Sequence, residues 1–296
     1  MNHQSAFKSP DDKAAYLAAY DEAMESWPVP YEEAEVESRF GTTYLVMSGP
    51  KTGPPLVLLH GFMTTVFLWS PNITDLSQNH RVYAIDIMGH RNRSLPHEPI
   101  RDLGDYIEWF TAILDELSLT RVDLMGQSFG GWLALNFAIK QPQRVRKLVL
   151  LSPAASLLPL VKQFTLRAIL SAFYPRHYWF NTWMRWMGLD AHQGSTEVRL
   201  MLNLIWLGGK HLRTPPDTMR VMPGVLSDEA LQSLQVPVLL LLGEKEVIYD
   251  STKAMARARQ LIPDLTGEII PESSHDMSMN QYQIVDARIL DFLATD

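Results

Sequence analysis

Two kinds of hydrophobic pattern alternate along this chain. Residues 11–27 place Tyr16, Tyr20 and Met24 at i, i+4 and i+8 behind an acidic start, which predicts a helix with one buried face. Segments 31–39 and 42–48 read as extended and meet at Gly41, as in a hairpin. Short apolar runs follow at 55–59, 82–87, 121–125, 147–151, 236–242 and 266–270. Amphipathic stretches at 70–79, 104–118, 129–141, 251–262 and 280–294 separate most of them. Continuous apolar strands alternating with helices predict a mostly parallel sheet covered on both faces, with eight strands counting the hairpin. In such a sheet chemistry collects beyond the carboxyl ends of the strands.

Residues 154–227 break the alternation. They carry no strand pattern but are rich in aromatic residues: Phe164, Phe173, Tyr174, Tyr178, Trp179, Phe180, Trp183, Trp186 and Trp206. The expectation is a helical cap inserted after the sixth strand, with 1–153 and 228–296 forming the core. Its aromatics either fill the cap's own interior or line a substrate pocket, for which Met63, Trp179, Trp183 and Trp206 are the candidates. The cap is also basic: Lys162, Arg167, Arg176, Arg185, Arg199, Lys210, Arg213 and Arg220 stand against Asp190, Glu197 and Asp217. Those cations either form a solvated face or favour anionic substrates.

The 296 residues carry a net charge of −7, which disfavours nucleic acid as a partner. Cysteine is absent, which removes disulfides, thiol nucleophiles and thiolate metal sites. The first residues lack the apolar core of a secretory signal, and no apolar run approaches the length of a membrane span. The expectation is a cytoplasmic protein acting on a small molecule.

The chemistry centres on Gly126-Gln127-Ser128-Phe129-Gly130, followed by Gly131. This G-x-S-x-G lies where an apolar strand stops and a helix starts, so the turn is sharp and its neighbours must be small. It sets the Ser128 hydroxyl at a helix N-terminus, where developing negative charge is favoured. A serine needs a base, and the base an orienting acid. His275, between the last strand and the last helix, is the only histidine beyond His211. The loop Gly243-Glu244-Lys245-Glu246 supplies the acid: Glu246 is favoured, with Glu244 the alternative, while Asp250 reads as a helix N-cap. The amide of Phe129 and that of Phe62, in His60-Gly61-Phe62, are the candidate oxyanion donors. His60, beside a glycine turn, is expected to make structural hydrogen bonds, and no histidine pair has metal-ligand spacing.

HGF at 60–62, D-x-x-G at 86–89, GQSFGG at 126–131, G-x-x-E at 243–246 and SH at 274–275 together resemble the α/β-hydrolase superfamily, over roughly residues 42 to 294. Size and helical cap resemble those of bacterial carboxylesterases. The resemblance implies ester hydrolysis through an acyl-enzyme, with short to medium acyl chains favoured and neither cofactor nor metal required. Two departures stand out: glutamate replaces the usual aspartate at Glu246, and the loop at 89–94 lacks the second glycine of the usual G-x-G-x-S. Other serine-dependent reactions of the fold (carbon–carbon hydrolysis, acyl transfer, perhydrolysis, aminopeptidase action) and ligand reception without turnover are the alternatives.

Overall fold

A computed structural model describes residues 6–164, 166–167, 177–190, 194–212 and 221–295. Helix α1 (Pro10–Met24) starts with Ser9 as N-cap and Pro10 at its first position, and it buries Tyr16, Tyr20 and Met24 on one face. Strands β1 (Tyr31–Ser38) and β2 (Gly41–Ser48) form the hairpin, with Gly41 at φ 133°. After β3 (Pro55–Leu59), the predicted helix at 70–79 is replaced by a 3-10 turn, Val66–Trp69, and a single-turn α2, Ile73–Leu76. Pro71 sits between them and has no amide to continue a helix.

Then come β4 (Arg81–Ile85), a two-residue β5 (Leu95–Pro96), α3 (Leu103–Glu116), β6 (Val122–Gln127), α4 (Phe129–Lys140) and β7 (Val145–Leu151). Helices α5 (His177–Met187) and α6 (Thr196–His211) follow, with no strand among the described residues between β7 and β8. The chain ends with α7 (Asp228–Gln232), β8 (Val238–Gly243), α8 (Ser251–Leu261), β9 (Leu265–Ile270), α9 (Met277–Asn280) and α10 (Tyr282–Ala294).

The sheet runs β1-β2-β4-β3-β6-β7-β8-β9, the eight strands expected, with β5 added beside β2. Too short to show any alternation, β5 escapes a pattern reading; it makes the sixth strand of the sequence count β7 in this numbering. Pairings from β4 through β9 are parallel, and those of β2 with β1, β4 and β5 are antiparallel. Strands β6 and β8 are buried along their whole length, as expected of strands covered on both faces, whereas the edge strands β1 and β9 are half exposed.

Asp86, at the end of β4, ties the carboxyl edge together. It accepts from the Val66 amide at 2.8 Å, the Arg93 amide at 2.9 Å and the Tyr20 hydroxyl at 3.0 Å, so one buried carboxylate joins two loops to α1. The amino-terminal segment also reaches α6. Phe7 bridges Leu212, the Lys8 amide donates to the His211 carbonyl, Asp12 bonds His211, and Tyr16 donates to the Arg91 carbonyl.

Helix α10 seats a buried carboxylate against the turn after β3. Asp286 is 1% exposed and receives the Asn72 amide at 2.8 Å, but burial still pushes its carboxyl up to about 7. Its folded value lies above its unfolded one, so its contribution to stability is full below the ordinary carboxylate range and is lost as pH rises to about 7. Asp286→Asn, which keeps an oxygen for Asn72 and never ionises, should therefore melt above the wild type at pH 8 and lose that advantage by pH 4. Melting curves of both proteins across this range test the assignment; a constant difference would contradict it.

Candidate active site

The turn after β6 is built by close backbone contact. A Cβ on Gly126 would stand 2.3 Å from the Gly130 carbonyl oxygen, and one on Gly130 would stand 2.0 Å from that of Leu59. Only hydrogen fits at either position. Between them Ser128 takes φ 53° and ψ −113°, a left-handed conformation that a serine adopts only when its surroundings enforce it. Its amide donates to the Leu151 carbonyl at 2.9 Å, and its own carbonyl accepts from the Trp132 and Ala154 amides. The side chain is thereby presented at the carboxyl edge of the sheet.

Three predicted residues meet there. Ser128 Oγ lies 2.9 Å from His275 Nε2, and His275 Nδ1 lies 3.0 Å and 3.1 Å from the two carboxylate oxygens of Glu246. Glu246 is the carboxylate that meets the imidazole. Glu244 turns outward to accept from the Glu272 amide at 2.8 Å, and Asp250 caps α8 through the Lys253 amide at 3.0 Å. Glu246 is further held by the amides of Val247 and Ile248 at 2.8 Å and 3.1 Å.

These contacts set the charge states. Burial of Glu246 raises its carboxyl, but His275, the nearby Ser152 hydroxyl and the Ile248 amide outweigh it and hold the group below its ordinary value. Burial of His275 disfavours the imidazolium, yet the Glu246 carboxylate, aided by Asp276, leaves the ring above its ordinary value. The pair is arranged to hold a proton on the imidazole once one arrives.

The loop after β3 passes over the serine: a Cβ on Gly61 would be 3.6 Å from Ser128 Cβ. Neither the Phe62 nor the Phe129 amide donates a hydrogen bond within the described protein, and Phe129 is the first residue of α4. The Phe62 ring packs 6.1 Å from the Phe129 ring, and His90 stands against both. His60 braces this loop. Its Nδ1 is 2.8 Å from the Gly61 carbonyl oxygen and its Nε2 accepts from the Ile87 amide at 2.9 Å. Burial lowers its imidazole to about 4, which suits these neutral-ring bonds. Asn92 stands in the loop lacking the second glycine; its side chain donates to the Ile87 carbonyl and accepts from the Ser94 amide. Among the described residues no group of three His, Asp or Glu side chains is placed to hold a metal.

A cavity of about 60 Å³ opens on Ser128 and His275. Met63 and Trp183 line it, joined by Leu68, Met184, Met187 and Ile205. Trp179 and Trp206 do not, which corrects the expectation for both. Trp179 lies one turn before Trp183 on α5, 39% exposed against the Tyr178 ring. Trp206 is a step of about 100° around α6 from the cavity-facing Ile205, and stacks on His177 and Phe180 instead. Phe173 and Tyr174 lie outside the described residues, as do Arg176, Arg213, Asp217 and Arg220. The sequence reading passed over Asp276, a second buried carboxylate lining this cavity; its place directly after His275 was the available signal.

A family profile described as alpha/beta hydrolase fold matches residues 54–196. The uncharacterized carboxylesterase nap of Bacillus subtilis (strain 168) is 36% identical over 98% of this chain and 96% of its own length. Carboxylesterase YbfK of the same organism is 31% identical over 97% of this chain and 96% of its own length. The crystal structure of the Bacillus subtilis naproxen esterase (carboxylesterase NP) superposes with a TM-score of 0.90 at 34% identity, covering 97% of this chain and 99% of that one. That of carboxylesterase CesB (YbfK) gives 0.87 at 31% identity, covering 96% of this chain and 99% of that one. With full-length relatives at this identity and a sheet of the same build, the chain belongs to the α/β-hydrolase family and resembles its bacterial carboxylesterases from end to end.

Proposed function

We propose that the protein hydrolyses carboxylic esters, with Ser128, His275 and Glu246 as its catalytic triad. The observation that carries this reading is the unbroken hydrogen-bond chain from Ser128 Oγ through the imidazole to Glu246. Ser128 Oγ attacks the ester carbonyl carbon as His275 Nε2 takes its proton. The carbonyl oxygen becomes an oxyanion, which the Phe62 and Phe129 amides receive at the start of α4. His275 then returns the proton to the leaving alcohol, and the acyl group stays on Ser128. Water, deprotonated by the same imidazole, attacks the acyl-enzyme; collapse of the second oxyanion releases the acid and restores the serine.

Residues 154–227 act as a cap domain over a core made of 1–153 and 228–296. Two features support this: α5 and α6 contribute Trp183, Met184, Met187 and Ile205 to the cavity, and the core contributes the reacting groups. The confined, largely apolar lining of Leu68, Met184, Met187 and Ile205 over Ser128 supports a preference for short to medium acyl chains.

Turnover of p-nitrophenyl esters from acetate to palmitate should peak at the short or medium chains and fall to background in Ser128→Ala. Glu246→Gln should retain the fold and lose about a thousandfold or more in kcat, because the imidazole loses its orienting anion. If Glu244→Gln is the damaging change instead, the acid is misassigned. The reading as a whole fails if no ester is turned over although a fluorophosphonate labels Ser128.

The pH profile provides a separate check. Only the neutral imidazole can accept the serine proton, and Glu246 lifts the His275 value, so kcat/KM should fall on the acid side from above the ordinary histidine range. Removing the carboxylate charge in Glu246→Gln should move that limb to lower pH in the residual activity. A limb that stays in place would mean that His275 is not the titrating base.

A further inference from the structure

The cavity over Ser128 is walled mainly by methionine, leucine, isoleucine and aromatic side chains, so any polar group in it matters to what binds. Several of its polar groups are already engaged. The Thr64 hydroxyl donates to the Gly61 carbonyl at 2.9 Å. The Gln127 carbonyl oxygen accepts from the Ser278 hydroxyl, and its amide nitrogen is shared between Asp276 Oδ1 at 3.2 Å and the His275 carbonyl at 3.5 Å.

Two side-chain polar groups outside the Ser128–His275–Glu246 chain are left with bonding capacity. Asp276 is 7% exposed and uses only Oδ1, so Oδ2 has no hydrogen bond among the described residues. The buried Trp183 Nε1 likewise has no acceptor among the described residues. The electrostatics are equally one-sided. Glu246 and Asp276 share one imidazole between them, and among the described residues no lysine or arginine lines the cavity. The described cap cations lie elsewhere: Arg185 pairs with Asp190, and Arg167 lies over the Trp186 ring.

We propose that Asp276 is a specificity-determining residue whose carboxylate, in the same cavity as Ser128, selects esters carrying a hydroxyl or ammonium group near the scissile carbonyl and rejects esters carrying a second carboxylate. The inference rests on the ester-hydrolase reading above. A carboxylate that is mostly buried among apolar walls is poorly solvated, and a substrate donor that reaches its unbonded oxygen adds a charge-assisted hydrogen bond at the moment of binding. A substrate carboxylate in the same space meets like charge where water cannot screen it. Burial lifts the Asp276 carboxyl to about 6, which still leaves it ionised at pH 8. A substrate hydroxyl suits the site doubly, since it donates to Asp276 while its oxygen can accept from an indole N–H such as that of Trp183.

Two substrate series at pH 8 test this. One varies the acyl side: ethyl butyrate, ethyl 3-hydroxybutyrate, ethyl 3-aminobutyrate and monoethyl succinate. The other varies the alcohol side of butyrate esters, using ethanol, ethylene glycol, choline and glycolic acid. In at least one series the wild type should favour the hydroxyl and cationic members over the carboxylate member by roughly tenfold or more in kcat/KM. Asp276→Asn should erase most of the cationic preference and raise the carboxylate member relative to the plain ester. Asp276→Ser should do the same should the Asn protein fold poorly, and the wild-type ranking needs no variant at all. A flat wild-type ranking, or an equal fall for every ester in the variants, overturns the proposal and leaves Asp276 a support of the His275 loop.

Inactivation of Ser128 by fluorophosphonates bearing a trimethylammonium or a carboxylate tail reads the same selectivity without turnover. Faster inactivation by the cationic probe, lost in Asp276→Asn, upholds the assignment even if no ester is hydrolysed, in which case only the ester reading falls. Equal rates for the two probes overturn the assignment itself.

Discussion

The backbone of Ser128 is the constraint around which the carboxyl edge of the sheet is arranged. A non-glycine residue at φ 53° and ψ −113° costs on the order of 1–3 kcal/mol, and it persists only where neighbouring structure over-determines it. Here β6 is fixed between parallel partners on both sides, and α4 leaves the turn at once to pack back on the same strands. Gly126 and Gly130 let the entering and leaving chain pass within contact of each other and of Leu59. The strain is thus carried by the most deeply buried part of the fold, while its product, an accessible hydroxyl at a helix N-terminus, faces the cavity. The loop after β3 and the loop after β9 approach the same point, so Gly61 lies against the Ser128 side chain and the His275 imidazole reaches its hydroxyl without any long flexible segment being needed.

Charge around His275 is uneven by construction. Glu246 holds Nδ1 and is satisfied by two backbone amides, so its anion is stable despite burial. Asp276 has a single amide donor and lies against apolar walls. Two carboxylates in one buried neighbourhood thus have opposite characters: the first is a fixed part of the hydrogen-bond chain, while the second keeps an oxygen without a hydrogen bond among the described residues.

Much of this was legible in the sequence. Strands buried on both faces leave continuous apolar runs, and the serine turn leaves a fixed glycine spacing, because a side chain larger than hydrogen would collide with backbone at either glycine. What escaped were features whose cause lies far away along the chain. Glu246 is the favoured acid in the sequence, but the path of the chain beyond β8 that turns it inward and Glu244 outward leaves no mark in the loop's own residues. Trp179 and Trp206 are large and apolar, which predicts packing but not which cavity they face; helix phase excludes one and position along α5 the other. Strand β5 is too brief to leave a pattern, and the bond between Asp12 and His211 spans 199 positions. Asp276 was overlooked because a charged residue in a loop reads as solvated until burial is seen.

That long-range bond belongs to a larger arrangement. The segment from Phe7 to Tyr16 grips the last turn of α6 by a strand-like bridge and a side-chain pair, and it meets the loop after β4 through Tyr16. Since α6 also carries Ile205 into the cavity, the segment before β1 is joined to the cavity roof, although no α1 residue is among the described residues that line the cavity. A chain shortened to begin at β3 would still contain the serine, the histidine and the glutamate, yet its roof would lose the grip on α6 and keep the hydrogen bond from Asn280 to the Gly188 carbonyl and the contact of Arg91 with Gly208. The amino-terminal helix is better understood as the far abutment of that roof than as an appendage to the fold.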